Sequence, residues 1–255
     1  MPLEILCDPD ALARRAADLF ALAARETAAA RGSFTVALSG GETPRELYRH
    51  LARQQFAAKI PWRRVHVYWG DERCVPPDDA RSNYGMARDA FIKHVPLPEA
   101  NVHRLRGEDV PDEAARAYER ELLKPPARPA QSEEDVPAFD LVLLGLGGDG
   151  HTASLFPHSA ALAEETRLVV PNEGEGTGPR LTVTLPVING ARRVWFLVTG
   201  AEKAGMVAAV LEGLRMPAAI PAQAVAPAPG VLTWLLDEAA AAELGPDRRP
   251  RPTSR

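Results

Sequence analysis

The chain is predicted to be an α/β protein, a mostly parallel sheet flanked by helices, and three observations predict it. Apolar runs of strand length alternate with segments of helical period, the pattern of helices covering a parallel sheet. Of the 255 residues, 45% are hydrophobic, with aliphatic side chains far outnumbering aromatic ones, which suffices for one large core. Several apolar runs end directly in polar or glycine-rich segments, as strands do where a parallel sheet carries a site.

The elements follow in order. Asp8-Pro9 reads as an N-cap and first helical residue, opening an Ala/Leu-rich helix to about Ala30 that Gly32 stops. Residues 34–38 (FTVAL) form a buried strand. Thr43 then opens a helix, with Pro44 at the first helical position and Glu46 completing a Thr-x-x-Glu capping box. Strands are expected at 65–69, 141–144, 181–185, 194–198 and 231–236, with helices over 202–212 and 238–244. Residues 124–137 hold several prolines and acids and read as a linker after a helix ending near Leu123. No internal repeat is visible, so residues 1–245 read as a single domain. Residues 246–255, basic and proline-rich without an apolar anchor, read as a disordered tail.

Composition excludes several classes. A net charge of −4 argues against nucleic acid or an anionic membrane as the main partner, so an anionic ligand must meet a local cluster of donors. Cys7 and Cys74 lack the number and spacing of a zinc site or a disulfide framework; each reads as a small buried or half-buried thiol, with a Cys7–Cys74 bridge left open. No basic segment followed by an apolar run opens the chain, and no stretch nears the roughly 20 apolar residues of a membrane span. The expectation is a cytoplasmic protein.

Four segments at strand ends carry the chemistry. Ser39-Gly40-Gly41-Glu42-Thr43-Pro44 joins a strand to a helix, where glycines let backbone N–H groups approach an anion and the Ser39 and Thr43 hydroxyls add donors. A tight turn with a good cap is the plainer alternative. Gly70-Asp71-Glu72-Arg73, continuing to Arg81-Ser82-Asn83-Tyr84, places three consecutive charges that a core would not be expected to bury together; Arg73 suits an anionic oxygen or a developing oxyanion. Residues 139–157 (FDLVLLGLGGDGHTASLFP) are the sharpest. An apolar strand ends among four glycines with Asp149 and His151 set between them, and histidine is the usual general base near neutral pH. His50, His66, His94, His103 and His158 read as structural. Lys203, in Thr199-Gly200-Ala201-Glu202-Lys203, runs against the dipole preference of a first helical turn, which an anion would explain, and Arg180 can reach the same anion. Asp149 and His151 have no third ligand at metal spacing, and no GxSxG elbow is present, so neither a metal site nor a serine nucleophile is expected.

Together these motifs resemble the glucosamine-6-phosphate isomerase/6-phosphogluconolactonase family. The resemblance runs from about Leu12 to Leu236 on SGGETP at 39–44, GDERCVPPDDARSNYGM at 70–86, GLGGDGHTASLFP at 145–157 and RLTVTLPVINGARRVWFLVTGAEKA at 180–204. It implies a single modified Rossmann-like domain, a sugar-phosphate substrate, no cofactor and no metal. It also implies roles: His151 as base, Asp149 orienting it or holding a sugar hydroxyl, Arg73 or glycine N–H groups at the oxyanion, and Ser39, Gly40, Gly41, Thr43, Arg180 and Lys203 at the phosphate, with Asp71 on the substrate. Deaminase members carry a Glu where this chain has Phe156 and tend to read Asp-Glu-Tyr at 71–73, so the chain leans to the lactonase branch. The alternatives are an amino-sugar-phosphate deaminase or isomerase, and a non-catalytic sugar-phosphate sensor, which should carry a DNA-binding segment that is not visible here. A monomer or weak dimer is expected.

Overall fold

The computed structural model describes residues 1–127 and 136–248. Its framework is a six-stranded sheet in which every neighbouring pair is parallel. The strands are β1 (Leu3–Leu6), β2 (Phe34–Leu38), β3 (Val65–Trp69), β5 (Leu141–Leu144), β8 (Arg193–Val198) and β9 (Val231–Asp237), lying in the order β1-β9-β8-β5-β2-β3. A second sheet is antiparallel: β4 (Asp71–Arg73) pairs with β7 (Gly178–Val183), which pairs with β6 (Val169–Gly174). The helices are α1 (Pro9–Arg31), α2 (Glu42–Ala52), α3 (Gln54–Ala57), α4 (Asn83–Ala90), α5 (Pro111–Leu122), α6 (Leu185–Asn189) and α7 (Ala204–Glu212).

The sequence logic of the first unit holds closely. Asp8 accepts from the Ala11 N–H, Pro9 opens α1, and Gly32 closes it at φ 87°, a left-handed conformation that glycine adopts freely. Every residue of β2 and β5 is buried, as expected of central parallel strands. One buried charge braces them: Asp140, just before β5, accepts from the Thr35 N–H and hydroxyl of β2 and pairs with Arg31. Farther along the sheet, Phe196 of β8 stacks on Trp234 of β9 at 4.0 Å.

Four expectations need correction. The run at 181–185 is not part of the parallel sheet: Leu181 to Val183 belong to β7 of the small sheet, and Leu185 already opens α6. α2 begins at Glu42 with Gly41 as N-cap, so no Thr43–Glu46 capping box forms; the Thr43 hydroxyl bonds Thr199 instead. Residues 238–244 are successive turns rather than a helix; Asp237 accepts from the Ala240 N–H and from the Gly200 N–H, which ties the end of β9 to the turn after β8. Cys7 is exposed rather than buried, and both cysteines are free. Of the expected linker at 124–137, residues 128–135 lie outside the described residues, as do 249–255 of the expected tail; Arg248 pairs with Glu212. Among the described residues no helix is long and apolar enough to cross a membrane.

β2 lies between β3 and β5, and the chain runs from β2 to β3 but from β5 to β8, in opposite directions along the sheet. The carboxyl ends of β2 and β5 therefore flank the topological switch point, where doubly wound sheets open a crevice.

Candidate active site

A cleft of about 350 Å³ opens at that switch point. It is lined by Ser39, Gly40, Gly41, Thr43, Asp71, Arg73, His151, Arg180 and Lys203, so nine of the ten residues singled out from sequence converge on its wall. The tenth, Asp149, stands behind His151.

The turn after β2 is held from below. The buried Tyr48 hydroxyl accepts from the Ser39 N–H at 3.0 Å and donates to the Ser39 carbonyl at 2.8 Å. Gly41 has φ 103°, and Gly40 has no room for a side chain, since a Cβ there would lie 2.0 Å from Asn83 Oδ1. The N-terminus of α2 thus faces the cleft, with unpaired N–H groups and its positive dipole end. The Thr43–Thr199 hydroxyl contact, 2.7 Å, ties this turn to the one after β8 that carries Lys203.

The small sheet supplies two arginines. Arg73 of β4 stands opposite Arg180 of β7 in the strand register. Neither makes an ion pair among the described residues: Arg73 Nη1 donates to the Arg81 carbonyl, Arg180 Nη2 to the Thr177 carbonyl at 3.5 Å, and the Nε of each is buried without a partner. Burial, and then the adjacent Arg73, lower the Arg180 pKa from its usual value. Two guanidiniums left facing each other without a carboxylate make this wall receptive to an anion.

Asp71 and Glu72 overturn the expectation that the charges of this segment could not be buried together. Asp71 is 5% exposed and Glu72 2% exposed. Asp71 accepts from the Ser154 hydroxyl at 2.7 Å and from Asn83 Nδ2 at 3.3 Å. Hydrogen bonds to every carboxylate oxygen replace the lost water.

The turn after β5 carries the histidine. His151 Nδ1 lies 2.6 Å from Asp149 Oδ1, and the His151 N–H donates to the same oxygen at 3.1 Å. A carboxylate only accepts, so Nδ1 carries the proton and Nε2 of the neutral ring is left as the acceptor. Burial works to raise the Asp149 pKa, but the His151 N–H and imidazole outweigh it and hold the carboxyl below its usual value. The ring lies against Gly147, where a Cβ would sit 2.1 Å from Nδ1, and Phe156 packs on it at 4.8 Å between ring centroids. Among the described residues no group of three or more His, Cys, Asp or Glu is placed to hold a metal ion.

Sequence reasoning did not single out Asn83 and Ser154. Both stand inside the quoted motifs, but only the packing of α4 and of the 152–155 turn onto β4 brings them to Asp71.

Comparison with known proteins agrees with this arrangement. Residues 7–234 match the family described as glucosamine-6-phosphate isomerases/6-phosphogluconolactonase. The chain is 44% identical over 246 residues to a 6-phosphogluconolactonase of Synechocystis sp., covering 96% of this chain and 98% of that one. It is 43% identical over 243 residues to a 6-phosphogluconolactonase of Nostoc sp., covering 95% and 98%. The solved 6-phosphogluconolactonase from Trypanosoma cruzi superposes with a TM-score of 0.83 at 30% identity, covering 95% of this chain and 96% of that one. On its motifs, its topology and these likenesses, the chain belongs to the glucosamine-6-phosphate isomerase/6-phosphogluconolactonase family.

Proposed function

We propose that the protein hydrolyses 6-phospho-D-glucono-1,5-lactone to 6-phosphogluconate, the lactone-opening step of the oxidative pentose phosphate pathway. The observation that carries this reading is the placement of the Asp149–His151 pair in one cleft with the glycine turn, Arg73, Arg180 and Lys203. The near full-length relatives that bear the lactonase name support it.

The substrate phosphate is held by the Gly40 and Gly41 backbone, the Ser39 and Thr43 hydroxyls, and the Arg180 and Lys203 cations, which meet at the positive end of α2. The lactone carbonyl then lies toward His151. His151 Nε2 takes a proton from water as the water oxygen bonds to the carbonyl carbon, and the C=O π pair moves onto oxygen. Arg73, or N–H groups of the 145–150 turn, stabilise that oxyanion. Collapse re-forms the carbonyl and breaks the bond to the ring oxygen, which leaves as a hydroxyl with the proton carried by His151. The resulting acid ionises in water. Asp149 keeps the imidazole in the tautomer this sequence requires, and Asp71 accepts from a sugar hydroxyl.

A deaminase reading lacks a carboxylate at position 156, where a buried Phe packs on the catalytic ring. The two unpaired thiols fit the reducing cytoplasm.

The test is hydrolysis of freshly generated 6-phosphogluconolactone beside the unphosphorylated lactone, with a no-enzyme blank for spontaneous opening. Acceleration confined to the phosphorylated lactone supports the reading; none above the blank sinks it and directs the assay to glucosamine 6-phosphate. In the same assay Arg180→Ala and Lys203→Ala are expected to raise KM with little change in kcat, because a phosphate held equally throughout the reaction contributes uniform binding. Unchanged KM in both removes them from the site.

A further inference from the structure

Of the three residues of β4, Asp71 and Arg73 line the cleft and Glu72 does not. Glu72 is nevertheless buried, and no cation pairs with it among the described residues. A carboxylate taken out of water without a counter-ion must be met by hydrogen-bond donors. Four are present. Oε1 accepts from the Arg73 N–H at 2.8 Å and the Asn83 N–H at 2.7 Å, while Oε2 accepts from the Tyr84 N–H at 2.7 Å and the Ser82 hydroxyl at 3.1 Å. Burial pushes the Glu72 pKa up, and the three backbone N–H groups oppose it.

These bonds join two segments that are ten residues apart. Three of the donors open α4, whose first N–H groups have no partner within the helix. The fourth is the backbone N–H of Arg73 itself. The start of α4 is in turn locked to the cleft: Asn83 Nδ2 donates to the Asp71 carbonyl at 2.9 Å, and the Asn83 side chain fills the space left by Gly40. The loop between, residues 74–81, returns to Arg73 through the Arg81 carbonyl, which accepts from the guanidinium. Glu72 is thus the clasp of a loop whose two ends present Arg73 and Asn83.

We propose that Glu72 is a positioning residue for the hydrolysis: it clasps β4 to the start of α4 and thereby fixes where the Arg73 guanidinium meets the reacting carbonyl, without touching substrate. The inference rests on the role given above to Arg73.

The test is a double-mutant cycle on the full chain with Glu72→Gln and Arg73→Ala, reading kcat, KM and the melting temperature. Glutamine keeps the shape but turns an NH2 group toward two of the four donors. Glu72→Gln is expected to lower kcat about tenfold to a hundredfold in a protein that still melts cooperatively, as a misplacement of the order of 1 Å does. On the Arg73→Ala background the same change is expected to alter kcat less than about twofold, because the group it positions is gone. If Glu72→Gln does not fold at assay temperature, Glu72→Asp, which keeps the charge one methylene short, enters the same cycle. Full activity of Arg73→Ala overturns the role of Arg73 and this inference together. An impaired Arg73→Ala beside an intact Glu72→Gln, or losses that multiply in the double variant, overturns the inference alone.

Discussion

Two histidine–carboxylate pairs among the described residues are made through Nδ1, with nearly equal geometry and opposite character. In the cleft, His151 Nδ1 lies 2.6 Å from Asp149; on the far side of β3, His103 Nδ1 lies 2.9 Å from Glu121. The difference is at the other ring nitrogen. His151 lines the cleft and its Nε2 has no hydrogen-bond partner among the described residues, whereas His103 Nε2 is taken up at 3.0 Å by His66 Nδ1, and the His103 ring is stacked on Tyr68 at 4.2 Å. A carboxylate behind an imidazole fixes a tautomer in both places, but only a free second nitrogen makes a base. The glycines make the same distinction. Gly147 leaves space for the His151 ring, while His103 is packed among side chains that a core would use.

The largest expected effect separates the two pairs by activity. His151→Ala is expected to lower kcat by about 10²–10⁴, the usual contribution of a general base, with the melting temperature nearly unchanged. His103→Ala is expected to leave kcat near wild type while costing about 1–3 kcal/mol of stability in denaturant unfolding, through the lost stack and the lost imidazole bond to Glu121, which keeps only Lys124 among the described residues. If His103→Ala abolishes turnover in a folded protein, the comparison breaks, and the second pair belongs to the chemistry as well.

A smaller effect sharpens the role of the glycines. Gly147→Ala places a methyl group where Nδ1 now lies, so the His151 ring must move; Gly148→Ala, one residue on, meets nothing within 4 Å. The first is expected to lower kcat by about tenfold or more, and the second to stay within about twofold. Equal kcat in the two variants would mean that the position of the ring does not limit the reaction.

Much of this was legible because the informative signals are local. The runs at 34–38, 65–69, 141–144, 194–198 and 231–236 name five of the six parallel strands, and Asp8-Pro9 with Gly32 bounds α1. β1 escaped notice because four half-buried residues at a sheet edge carry little pattern. The small sheet escaped for a different reason. Asp71–Arg73 has no strand character of its own and is extended because β7 pairs with it, more than 100 residues away in sequence. Its three charges read as surface, yet two are buried, since the donors that permit it come from Ser154 and the start of α4. At 238–244 the alanines favour a helix, and Asp237 caps the start as an N-cap would, yet the segment is a run of turns. The cleft residues other than Arg180, which lies within β7, were legible because each follows the end of a parallel strand; Asn83, Ser154 and Glu72 were not, since their roles arise from contacts between segments.

The smallest effect concerns pH and belongs to the second pair. Burial, and then the facing His103, push the His66 pKa down from 6.5 to about 4. Because the folded pKa lies below the unfolded one, the unfolded chain binds the proton first as the pH falls. The stability that neutral His66 permits is therefore complete above about pH 6.5, declines between there and about pH 4, and changes no further below that. Carboxylates lose their own interactions in the acid range, so wild type alone does not isolate this contribution. In His66→Gln, which cannot take up a proton, the fall in melting temperature between pH 6.5 and pH 4.5 is expected to be shallower than in wild type, with kcat at neutral pH unchanged. Parallel melting curves in the two proteins would mean that the imidazole pair opens to solvent and accepts its proton at no cost, and the second histidine pair would then be as accessible as the first.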